Sequence, residues 1–255
     1  MSNSTRTRLT MLGASDDKTL MGVPALSDIA TLQADIAAFG APCCSLYLSA
    51  AEYAHANLDG PKAIREALAT WVWAHDRYDW DQGDYLYEDM NERVVDLGDL
   101  PVDMASAERN RQVIQDTCAV VIEKGAIPFA LGGDDSIPLP MLWALERPED
   151  ITILQLDAHA DWRDEVGGER YGLSSGMRRA SELPFVKKIV QVGMRGLSSA
   201  GRKEVNDAKA WGVNFFPAYD VHDHGVPPIL EEIDSGSNVF ITIDLDGLES
   251  STILT

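Results

Sequence analysis

Short apolar runs recur along this chain, separated by polar or helix-periodic stretches. Residues 35–41, 94–97, 127–131, 151–157, 188–193, 213–216 and 239–244 each read as a strand, apolar and bounded by turn residues. Between them, Pro61 is suited to the first turn of a helix reaching Trp73. Residues 105–124 carry Val113, Ile114, Thr117, Val120 and Val121 at helical spacing, and Gly125 is a natural stop. A helix with Met141, Leu142 and Leu145 follows Ser136, another begins near Ser174 or Ser175, and two more span 198–210 and 227–234. Strand alternating with helix predicts a mostly parallel sheet with right-handed crossovers and helices on both faces. Residues 1–30 read as an arm, with Gly22 and Pro24 marking a turn, and residues 31–255 as one domain.

Three of these strands end in clustered carboxylates. ITILQLDAHAD places Asp157, His159 and Asp161 at alternate positions, so an extended backbone would send all three to one face. NVFITIDLD places Asp244 and Asp246 in the same relation, and IPFALGGDDS puts Asp134 and Asp135 after a Gly-Gly turn. Carboxylates at the ends of three parallel strands would meet at one sheet edge, where open α/β folds bind their ligands. So much charge in one place needs water or a cation to satisfy it. Two of the loops read as rims of such a pocket: 162–172, with Trp162, Asp164, Glu165 and Glu169, and the aromatic, acidic stretch 78–91.

Composition narrows the possible partners. The 255 residues carry 21 Lys and Arg against 41 Asp and Glu, a net charge of −20. That balance argues against nucleic acid and suits a small cationic substrate. No apolar run approaches the length of a membrane span, and the first twenty residues lack a signal-peptide core, so the cytoplasm is expected. Cys43, Cys44 and Cys118 have neither disulfide-framework nor zinc spacing and read as buried thiols.

GGDDS, DAHAD and IDLDGL, in that order, resemble the metal motifs of the ureohydrolases, the arginases, agmatinases and their relatives. GPKAIRE (60–66) and VVDLGDL (94–100) are similar to the family's early helix and strand, and DAHADWRDE leans towards the agmatinase-like branch. The resemblance covers about residues 20–250. It implies a three-layer α/β/α domain with two bridged divalent metal ions, Mn²⁺ or Ni²⁺, that hydrolyses a guanidino compound to urea and an amine. It also implies a trimer or hexamer. By this resemblance Asp157, Asp161 and Asp244 hold one ion, and Asp157, His159, Asp244 and Asp246 the other. Asp135 stands where relatives have a His. Oxygen-rich donors with an imidazole suit Mn²⁺ or Ni²⁺, and a pair of such ions can activate water at neutral pH. Asp161 best matches the carboxylate that takes a proton from that water and passes it to the leaving amine.

Four departures from the family pattern shape the expectations. Asp135 adds charge where an imidazole is usual. Residues 171–177, YGLSSGM, lack the family's proton-shuttling His. Glu249-Ser250 replaces Asp-Pro, and the sequence stops at Thr255, before the family's C-terminal portion. The strands at 127–131 and 239–244 are then expected to flank an unfilled sheet position. The expectation is a mainly structural chain in a hetero-oligomer with a homologous ureohydrolase subunit, similar in kind to the nickel-dependent metformin hydrolases. A self-sufficient agmatinase-like enzyme is the alternative.

Overall fold

The computed structural model describes residues 18–45, 54–74, 77–81, 83–85, 93–103, 105–145, 150–197 and 200–248. Two compact units make up the chain, Met1–Leu145 and Glu146–Thr255. The strands pair in parallel throughout, as the alternation predicts, and form two sheets.

The first unit is built on β1 (Ile36–Ala41), which lies between β2 (Val94–Asp99) and β3 (Ile127–Gly132). A central parallel strand is covered on both faces, so it is apolar without alternation, and Ala37 to Ala41 are all buried. Helix α1 (Ala54–Leu68) starts earlier than Pro61 suggests and carries that proline inside, and a 3₁₀ stretch (Ala69–Ala74) continues it. Helix α2 (Ala107–Glu123) is capped by the Ser106 hydroxyl, which accepts from the Arg109 N–H. It turns Ile114, Cys118 and Val121 inward, and Gly125 follows with φ +82°. Helix α3 (Pro138–Trp143) closes the unit with Pro at its start. Residues 18–26 of the arm lie along β2: Asp96 donates its N–H to Pro24, and Leu26 donates to Asp96.

A buried ion-pair network ties α1 to β2. Arg65 donates through Nε and Nη2 to the two oxygens of Asp96, at 2.8 and 2.9 Å, and through Nη1 to Asp99. The Asp99 carboxylate comes so near β1 that a Cβ on Gly40 would lie 1.9 Å from its Oδ1. Only glycine leaves room for it.

In the second unit the order is β6 (Asn214–Phe216), β5 (Val186–Val192), β4 (Ile151–Leu156), β7 (Asn238–Ile243). Helices α4 (Gly176–Ala180), α5 (Arg202–Trp211), α6 (Ala218–His224) and α7 (Pro227–Glu231) fill the connections. Nothing in the apolar pattern predicts α6, because YDVHDH has no apolar stripe and none of its residues is buried.

Two strands end their sheets with apolar side chains in the open. Ile127 and Phe129 of β3 are 64% and 48% exposed, and Ile241 and Ile243 of β7 are 59% and 54% exposed. Among the described residues each is the last strand on its side of its sheet. The helices of the described residues include none long and apolar enough to cross a membrane.

Replacing Arg65 with Ala leaves Asp96 buried and uncompensated, so the substitution is expected to cost about 3–5 kcal/mol, with Lys recovering part. Urea denaturation of both variants checks this, and a loss below about 1 kcal/mol would refute it.

Candidate metal centre

The centre forms where β4 stops. Asp157, the first residue beyond the strand, still donates its N–H to Val192 of β5 at 2.9 Å. The backbone then bends, and the alternation that was expected to bring Asp157, His159 and Asp161 to one face does not continue past Leu156. The three residues approach by a turn. The Asp157 Oδ1 accepts from the His159 N–H at 2.6 Å, closing a tight local loop. Asp161 sits at φ +46°, a left-handed conformation that Asp tolerates better than most residues. Its carbonyl accepts from the Arg178 N–H of α4, at 3.2 Å.

A second turn meets the first. Past β7, Asp244 donates its N–H to Leu156, and its side chain accepts from the Asp246 N–H at the start of a 3₁₀ turn (Leu245–Gly247). Asp246 reaches across: its Oδ1 accepts from the Ala158 N–H at 3.2 Å, and its Oδ2 lies 3.1 Å from His159 Nδ1. A Cβ on Gly247 would fall 2.7 Å from the Asp157 N, so the two turns approach closely only through this glycine. Arg195 straps the same turn. Its guanidinium donates to the carbonyls of Gly193 (3.2 Å), Asp246, Gly247 (3.2 Å) and Leu248 (2.9 Å), while its main-chain N–H reaches Ala158.

Beneath the turns lies a buried polar layer. Gln155 Nε2 donates to Asp157 Oδ2 at 2.6 Å and to Asp161 Oδ2 at 3.0 Å, and Gln191 donates in turn to Gln155 Oε1. Asp157 and Asp161 are 1% and 5% exposed and are hydrogen-bonded to one another. Burial, then the neighbouring Asp161 charge, pushes the Asp157 carboxyl up to about 9. Burial also raises Asp244.

This donor set fits a divalent cation. Ligand atoms of Asp157, His159 and Asp246 all lie within 4.8 Å of one another, and carboxylate oxygens with one imidazole are what Mn²⁺ or Ni²⁺ takes. The Asp157–Asp161 pair, bridged by a neutral amide, is a charge deficit that a cation would relieve.

Asp134 is a buried clamp: its carboxylate accepts from the N–H and hydroxyl of both Ser45 and Ser136, and burial raises it. Asp135, half-buried, follows β3 in the first unit. Trp162, expected to contact substrate, is 2% exposed and packs against Trp211 with ring centroids 6.2 Å apart. An indole's large apolar surface favours that burial. Asp164 is drawn to arginines, accepting from Arg179 Nη2 at 2.8 Å with Arg178 and Arg170 at 3.5 and 3.6 Å, and these hold it below the usual carboxylate range. Glu165 is exposed. Of the stretch 78–91, the described part is a turn where Tyr78 meets Trp80 and Tyr85 edge-on, with centroids at 5.1 and 5.3 Å.

Residues 34–253 match the model of the arginase family. The chain belongs to that family. It is 33% identical over 167 residues to an arginase from Glycine max, which covers 61% of this chain and 46% of the relative. An agmatinase from Bacillus anthracis is 28% identical over 167 residues, covering 65% of this chain and 56% of its own length. The chain thus spans about half the length of the curated relatives it matches. The crystal structure of the agmatine ureohydrolase of Thermoplasma volcanium superposes with a TM-score of 0.68 at 26% identity, covering 88% of this chain and 72% of that one. The expected arginase-like fold is therefore present.

Three further residues around this centre, Gln155, Gln191 and Arg195, escaped the sequence reading. Their signal was there for the two glutamines, polar residues interrupting the apolar runs ITILQL and KKIVQV.

The raised Asp157 fixes the sign of a pH effect. From its ordinary 3.8 up to about 9, the folded state keeps a proton that the unfolded chain has released, so stability of the metal-free protein falls as pH rises through that window. Excess Mn²⁺ bound by these carboxylates is expected to displace that proton and reverse the trend. Thermal melts between about pH 5 and 9, with chelator or with Mn²⁺, check this; a chelated protein whose Tm rises with pH would contradict it.

Proposed function

We propose that this chain serves a ureohydrolase reaction, the hydrolysis of a small cationic guanidino compound to urea and an amine, with two divalent ions, Mn²⁺ or Ni²⁺. The observation that carries it is the meeting of Asp157, His159 and Asp246 above the buried Asp157–Asp161 pair. Agmatine-like amines, guanidine, N-alkylguanidines and biguanides such as metformin make up the substrate class. Family membership and the acidic composition support that choice.

Asp157, Asp161 and Asp244 would hold one ion and Asp157, His159, Asp244 and Asp246 the other, with Asp157 and Asp244 shared and Asp135 a weaker or optional ligand. Divalent cations bound there would supply an activated water at neutral pH. Asp161 takes the proton from the attacking water on a carboxylate oxygen and delivers it to the leaving nitrogen. Gly247 and the Arg195 strap keep Asp246 beside His159 through the cycle. The guanidinium carbon is a weak electrophile because resonance spreads its charge, so exact placement of the attacking oxygen matters more than in ester hydrolysis.

A specific observation favours a partner. The open apolar side of β7, with Val239, Ile241 and Ile243, supports assembly with a homologous ureohydrolase subunit, this chain being mainly structural in the hetero-oligomer. In the alternative reading the chain turns over substrate unaided.

Urea release is measured with Mn²⁺ or Ni²⁺, from the chain alone and with a co-expressed homologous subunit. Asp161→Asn in an active preparation is expected to lower kcat about 10²–10⁴-fold. His159→Ala should lose metal as well. Urea formation unaffected by either substitution would end the proposal. For assembly, light scattering decides: Ile241→Glu is expected to abolish the mixed oligomer, and a fully active monomer would refute the partner reading.

A further inference from the structure

Gln155 and Gln191 stand directly opposite each other on β4 and β5, and both are fully buried. Two carboxamides side by side inside a sheet are costly where Leu or Val would pack, because every polar atom then needs a partner. One atom lacks it: Gln191 Oε1 is buried with no hydrogen bond. The other groups form a directed chain. Gln191 Nε2 is anchored to the Ala160 carbonyl at 2.8 Å and also donates to Gln155 Oε1. With its oxygen so engaged, Gln155 can turn only its NH₂ upward, and that group donates to one oxygen each of Asp157 and Asp161.

We infer that Gln155, oriented by Gln191, is a positioning residue for the metal-binding carboxylates. By taking Asp157 Oδ2 from below, it leaves Oδ1 on the side of His159, whose Nδ1 is 3.5 Å away. The same NH₂ fixes Asp161 in its left-handed turn through Oδ2. An amide suits this position because it donates without carrying charge. A Lys or Arg would hold the carboxylates equally well and would cancel the charge that attracts a cation. A hydrophobic residue would leave both carboxylates free to rotate. Outer-shell hydrogen bonds to metal ligands act in this way in general.

The inference rests on the metal reading of the same site, and its test separates the two. Mn²⁺ binding to the full chain is followed by titration calorimetry and elemental analysis, and the Mn²⁺-induced rise in Tm is recorded beside it. Gln155→Met, close in volume but without a donor, is expected to weaken Mn²⁺ binding about 10–100-fold and to shrink the metal-induced rise in Tm. Gln191→Met is expected to weaken it less. The double variant should be no worse than Gln155→Met, since the two residues act in series. A merely structural pair would lower the metal-free Tm and leave Mn²⁺ affinity unchanged, which overturns the inference, as would additive losses in the double variant. If Gln155→Met does not fold, Gln191→Met decides the matter, because it touches neither carboxylate: wild-type affinity there overturns the inference. Wild-type protein that binds no Mn²⁺ or Ni²⁺ overturns the metal reading, and the positioning role with it.

Discussion

Two carboxylates buried side by side at the end of β4 set the terms for the second unit. Asp157 and Asp161 cannot both be charged there without help, and the first group to help is the uncharged amide of Gln155. Much of the local architecture serves to hold that unfavourable pair together. Asp161 accepts a left-handed backbone, Gly247 lets a second turn come within contact of the first, and Arg195 binds the carbonyls of that turn. Strain of this kind persists only where the surroundings over-determine it.

The first unit meets the same problem with the opposite solution. Asp96 is as deeply buried as Asp157, yet Arg65 engages both of its oxygens and the site is closed. A guanidinium there makes the carboxylate part of the scaffold. An amide at the corresponding place in the second unit leaves the charge open to a ligand. Pairing with Arg65 marks the Asp96 cluster as structural.

Legibility followed the length of the signal. The strands were readable because buried parallel strands are continuous apolar runs, and ITIL and VFITI leave little choice. Which strands pair was not readable, since alternation gives an order along the chain and no order across a sheet. Pro61 misled the start of α1 because a proline's preference for the first helical turn is only a preference, and here the helix begins at Ala54 and carries Pro61 inside. The residues of the centre were found by chemistry, through DAHAD and the two aspartates after β7, whereas the route by which they converge was not. A period of two belongs to an extended chain, and the chain stops being extended at Leu156. Trp162 and Asp164 were expected at the substrate because their loop follows a strand end; the structure buries the indole against Trp211 and pairs the carboxylate with Arg179.

The open side of β7 has a consequence for how the protein behaves in solution. An exposed strand edge bearing Ile241 and Ile243 is a template for pairing with any similar strand, including that of an identical copy. Each copy also carries a net charge of −20, and like charge keeps identical molecules apart while leaving a less acidic companion free to approach. That protection reaches only about one Debye length, roughly 8 Å at physiological ionic strength and shorter in concentrated salt. The apolar attraction at the strand does not weaken in the same way. Salt therefore acts as a selector between companions, and the acidic surface is as much a part of the strand's specificity as its side chains are.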